Sequence, residues 1–100
     1  MDSALNLRDI EKITEQGLAS VQFASEELYH RVEDLRTRFL SLDKAFSMSR
    51  SEKVKTLLVI NTIDGFKAIE TKVLSLNAKG IIISGNIFIP MHAIYNVIIE

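Results

Sequence analysis

Apolar side chains recur at alternating three- and four-residue steps from Leu18 to Phe46, which is the spacing of one helical face. Leu18, Val21, Leu28, Val32, Leu35, Phe39, Leu42 and Phe46 fall on a single seam that only Ser25 interrupts. Written as heptads, Leu18, Ser25, Val32, Phe39 and Phe46 take the a positions, while Val21, Leu28, Leu35 and Leu42 take the d positions. A continuous helix over this span measures roughly 40 Å at ~1.5 Å per residue, more than the rest of a small chain can cover. The pattern therefore predicts a long N-terminal helix, or a helical hairpin, whose seam packs on a second copy. Val21, Leu28, Val32, Leu35, Phe39, Leu42 and Phe46 are the expected contact residues.

Before this seam, Asp2 and Ser3 are suited to cap a first helix bearing Leu7, Ile10 and Ile13. Gly17 stands between the two stripes, and its helix penalty of about 1 kcal/mol relative to Ala fits either a break or a weak point in one continuous helix. Glu27 with Arg31 and Asp34 with Arg38 place an acid four residues before a base and support the second helix. The serines around Arg50 in SMSRS, residues 47 to 51, end it. In a parallel pair Arg31 meets Arg36 unfavourably and Arg38 meets Asp43 favourably, so these charges leave the orientation of the copies open.

Beyond residue 50 the period changes. β-Branched residues crowd together with turn signals between them, as in an antiparallel meander. A strand from about Lys55 to Ile63 meets Asp64-Gly65, a favoured tight-turn pair, and a long strand follows from Phe66 to about Leu76. Asn77 to Gly80 makes a turn, Ile81 to Ser84 a third strand, Gly85-Asn86 a second tight turn, Ile87 to Ile89 a fourth strand and Tyr95 to Ile99 a fifth. Pro90 cannot donate to a ladder, so PMHA is expected as an irregular or 3₁₀ connection. Five short strands with little chain between them escape exposed edges by closing into a barrel.

The stretch from Leu57 to Ile99 resembles the Sm-like family and, within it, the Hfq-type RNA chaperones. Asp64-Gly65, the turn at Asn77, the triplet Ile81 to Ile83, and His92-Ala93-Ile94 with Val97 fall in that family's order. The resemblance implies a small SH3-like or Sm-like barrel after an N-terminal helix, and RNA as a ligand near His92. Met91 stands where Hfq-type proteins carry a lysine beside the late histidine, and Glu70 lies near their bend glycine.

Composition narrows the chemistry. With 100 residues and 47% hydrophobic content the chain is expected to form one domain with a modest core, a helical arm over 1–50 followed by a barrel over 51–100. A net charge of -1 gives no global field toward nucleic acid or an anionic membrane. Residues 1 to 30 carry net -4, residues 31 to 55 net +3 and the remainder zero, so the basic patch is local. Without cysteine there is no disulfide framework, thiolate metal site or thiol nucleophile. No run approaches the ~18 apolar residues of a membrane span, and a cytoplasmic protein is expected.

Catalytic candidates are few. His30 and His92 lie in different halves, Glu11 with Glu15 and Glu26 with Glu27 lack metal-ligand spacing, and Ser47, Ser49 and Ser51 have no nucleophile elbow. A structural histidine bonded to a nearby carbonyl is the favoured reading of His92. For RNA the candidate contacts are His92, Arg50, Lys53 and Lys55, within a basic series that Glu33, Asp34, Asp43 and Glu52 interrupt.

The sequence thus predicts an α+β protein, a long N-terminal helix or helical hairpin followed by a five-stranded antiparallel SH3-like or Sm-like barrel. Its expected function is non-enzymatic: a homo-oligomeric interaction or scaffolding module with a protein partner, without cofactor, metal or small-molecule substrate. The alternative is an RNA-binding Sm-like protein.

Overall fold

The computed structural model describes residues 9–51 and 53–100; Asp2, Ser3 and Leu7 of the first predicted helix lie outside the described residues. The chain runs β1 (Glu11–Lys12), α1 (Glu15–Ala19), α2 (Val32–Ser47), β2 (Thr56–Thr62), β3 (Gly65–Thr71), β4 (Val73–Asn77), β5 (Gly80–Ile83), β6 (Ile87–Pro90), a 3₁₀ turn (Met91–Ala93) and β7 (Ile94–Ile99). The strands form two sheets, ordered β1-β3-β2-β7 and β4-β5-β6.

The C-terminal half follows its sequence pattern closely. β2 is buried along its whole length because it lies between β3 and β7 and has apolar clusters on both faces. Leu58 and Ile60 join the main core, while Leu57 and Val59 join a second cluster with Ile10 and Ala68. The β2–β3 turn holds Ile63 and Asp64, and Gly65 takes a positive φ of 105° that a side chain would resist. At the β4–β5 turn the Asn77 carboxamide oxygen accepts from the Lys79 and Gly80 amides at 2.8 and 3.2 Å. The expected long strand is present but divides at Lys72, so β3 and β4 belong to different sheets. Met91–Ala93 forms the 3₁₀ turn that Pro90 suggested.

Two expectations are corrected. The long helix does not form: α1 ends at Ala19, and helix resumes only at Val32. Between them the chain uses a strand-like edge that helical periodicity cannot report. β7 pairs with β2 only as far as Ile60, and residues 22–24 take up the vacated edge. There the Ala24 amide donates to the Asn61 carbonyl at 3.1 Å, the Ile63 amide to the Gln22 carbonyl at 3.0 Å, and Phe23 bridges Thr62. Val21 and Phe23 pack on the core while Gln22 is exposed, an alternation of period two hidden inside the heptads. The side-chain pairs expected to support the second helix, Glu27 with Arg31 and Asp34 with Arg38, are replaced, because Arg38 bonds Glu27, and Arg31 faces Glu33.

The second correction concerns the barrel. No ladder joins the two sheets among the described residues, and α2 packs against β4 and β7, one edge strand from each. The β7 edge is protected without closure. A bulge at Tyr95 leaves two successive carbonyls accepting from side chains: Ile94 from Arg38 Nη1 at 3.1 Å and Tyr95 from the Tyr29 hydroxyl at 2.6 Å. The core itself draws on both halves, with Leu18, Leu42 and Ala45 packed among Leu58, Ile60, Ile69, Val73, Ile81, Ile83, Ile89 and Ile94. No helix among the described residues is long and apolar enough to cross a membrane.

Candidate functional site

α2 carries apolar residues on more of its circumference than the core can use. Its inner face buries Arg38, Leu42 and Ala45, and Leu42 has no exposure at all. The outer side bears Val32 at 68% exposure, Leu40 at 57%, and Phe39 and Phe46 at 40% each. Val32, Phe39 and Phe46 are seven residues apart and form one ridge along the helix. Phe46 also lines a cleft with Leu74, an outward-facing residue of β4 that is half exposed. Of the eight large exposed apolar side chains among the described residues, five lie on α2 or its C-cap Met48. A helix with one buried face ordinarily sets polar residues opposite it. Exposed large apolar side chains concentrated on one helix mark it as a candidate interaction site.

The residues expected on the seam divide accordingly. Leu42 is buried in its own chain; Val21, Leu28 and Leu35 are half-buried; Val32, Phe39 and Phe46 face solvent. Leu40 and Leu74 join the exposed set although neither sits on the seam. The signal for Leu40 was present, since two adjacent apolar residues in a helix cannot both point at one core.

Behind α2 lies a polar node. Arg38 is buried and grips Glu27 through Nη2 at 2.6 Å and Nη1 at 2.8 Å, while its guanidinium lies 5.5 Å from the centre of the Tyr29 ring. Tyr29 stacks on Tyr95 with ring centres 5.7 Å apart. Burial pushes the Glu27 carboxyl up, but the hydrogen bond from Arg38, the Tyr29 amide and the Arg38 charge outweigh it, so its pKa lies below the ordinary value. Burial raises the Tyr29 pKa, with partial opposition from Arg38. Tyr29, Asp34, Thr37, Arg38, Ser41, Tyr95, Asn96 and Val97 line a cleft of about 90 Å³ here. Ligand pockets run to ~300–1,000 Å³, so this space suits a few waters and the node reads as a structural clamp.

Of the candidate RNA contacts, Arg50, Lys53 and Lys55 share the α2–β2 connection, whereas His92 and Lys55 stand toward opposite ends of the β2–β7 ladder. The His92 ring Nε2 lies 2.9 Å from the Ala24 carbonyl, an acceptor only, so that nitrogen carries the proton and the ring pins the 20–31 segment. Lys55 sits at the far end of the same ladder, exchanging backbone hydrogen bonds with Glu100 at 3.3 and 2.8 Å. From there to Ile60, the partner of Ile94, is about 17 Å along the strand. The Lys55 ammonium lies 3.9 Å from the Glu70 carboxylate, and Arg50 and Lys53 are exposed on the α2–β2 connection.

Comparison of the chain with protein-family models, curated proteins and solved structures finds no match.

Proposed function

We propose that this protein is a non-enzymatic interaction module that self-associates through the outer side of α2. One observation carries the reading: Val32, Phe39, Leu40 and Phe46 are exposed on α2, a helix whose Leu42 and Ala45 already pack in the core. Full burial of an exposed side chain of this size contributes ~1.5 to 3 kcal/mol, and Phe39 and Phe46, 40% exposed, contribute correspondingly less. A second copy suits this face because the ridge repeats every seven residues, the spacing at which helices pack on one another. Leu18, Leu42 and Ala45 pack in the core of their own chain and are not available to the contact. A single helix face about 24 Å long is a modest interface, and the association is expected to depend on concentration.

Sedimentation velocity across a concentration series tests the proposal. The wild-type chain should shift from monomer toward dimer, while Phe39→Ser with Leu40→Ser should remain monomeric with an unchanged circular dichroism spectrum. A wild type that stays monomeric, or a double variant that dimerises equally well, would overturn it.

A further inference from the structure

We propose that the two copies meet as an antiparallel pair of α2 helices about a twofold axis near Phe39, each copy's Arg36 facing the other's Asp43. This rests on the self-association reading above and adds the orientation and polar register of the contact.

The ridge is a stripe rather than a purely apolar line. Val32, Arg36, Phe39, Asp43 and Phe46 follow one another at four- and three-residue steps, and all five are exposed. Apolar residues alternate with charges whose sign reverses about Phe39. An antiparallel twofold uses that reversal directly: Val32 meets the second copy's Phe46, Phe39 meets Phe39, and Arg36 meets Asp43 twice by symmetry. A parallel pair packed in register along this stripe, rather than along the heptad seam, stacks Arg36 on Arg36 and Asp43 on Asp43, two like-charge contacts flanked by apolar groups that screen them poorly.

The single-chain structure leaves these charges available. Among the described residues neither Arg36 nor Asp43 has an ion-pair partner. Arg38, the partner that the heptad seam assigns to Asp43 in a parallel pair, is buried on Glu27. The favourable cross-pairing left to the stripe is therefore the antiparallel one, and the helix dipoles oppose one another in the same arrangement.

The chain has no cysteine, so introduced thiols report without background. Val32→Cys and Phe46→Cys should each give no cross-link alone with a short bifunctional thiol reagent. When mixed they should give a product joining residue 32 of one copy to residue 46 of the other, identified by mass. Like positions in the antiparallel pair lie about 21 Å apart, beyond the reagent. Arg36→Asp and Asp43→Arg should each weaken dimerisation by about tenfold, and the two combined in one chain should restore most of it. Self-cross-linking of each variant, or no recovery in the charge-swapped chain, would overturn the antiparallel register while leaving the dimer standing. A wild type that is monomeric at every concentration would remove the self-association itself.

Discussion

Arg38 holds Glu27 across eleven residues of sequence with two short hydrogen bonds, and its Nη1 also donates to the Ile94 carbonyl. One guanidinium thereby ties the irregular 20–31 segment, helix α2 and the edge of β7 to a common point. The Arg38 side chain is 5% exposed and that of Glu27 30%, so the arginine carries most of the desolvation and depends on its partner. Arg38→Met should cost about 3 kcal/mol in urea unfolding, because it strands a half-buried carboxylate and the Ile94 carbonyl. Glu27→Gln should cost less, and the double variant should fall short of the sum by about 1 kcal/mol or more. Strictly additive energies would show that the two side chains do not act as a pair.

The same pair sets an acid limit on stability. Because the folded pKa of Glu27 lies below its ordinary 4.5, the carboxylate binds protons more weakly folded than unfolded. Its contribution is complete above that ordinary value and is lost as pH falls through the lower folded one. Unfolding curves from pH 6 downward should therefore decline less steeply for Glu27→Gln than for wild type below about pH 4.5. Parallel declines would assign the acid sensitivity to other carboxylates.

Gly80 occupies a position with no room for a side chain. A Cβ there would lie 2.2 Å from the Ile89 carbonyl oxygen and 2.8 Å from the Phe88 ring, and the strand backbone cannot move away without breaking the β5–β6 ladder. Gly80→Ala should destabilise the protein by about 2 kcal/mol, measurable as a lowered Tm. Retention of the wild-type Tm would mean that this hairpin relaxes freely.

Leu40 and Leu42 are two residues apart on α2 and should respond oppositely to truncation. Leu42→Ala removes a fully buried side chain from the main core and should cost about 2–5 kcal/mol. Leu40→Ala should change the stability of the monomer by no more than about 0.5 kcal/mol. Chemical denaturation at low protein concentration reads both. Equal losses would place Leu40 in the core.

The sequence made the C-terminal half legible because its signals are local. Asn77 makes its turn with its own carboxamide, Gly65 supplies the positive φ of the β2–β3 hairpin, and Pro90 ends β6 by lacking an amide hydrogen. These residues act on their immediate neighbours, so their consequences follow wherever the chain folds. The end of α2 at Ser47 is legible for the same reason. The candidate interface was half legible: the heptads marked Val32, Phe39 and Phe46, but they also marked Leu42, which the chain covers itself.

What only the tertiary structure decided is the fate of residues 20 to 31 and the relation between the sheets. Val21 satisfies a heptad and a strand equally well, whereas Phe23 lies off the seam and fits the strand alone. The choice went to the strand-like edge because Asn61 and Ile63 offered hydrogen bonds that β7 had left unused. Closure of the sheets failed in the same way, through partners distant in sequence: Tyr29 and Arg38 took the carbonyls at the β7 bulge, and α2 settled across both edges. Periodicity records which side chains share a face; which backbone groups remain to be paired is known only once the strands are in place.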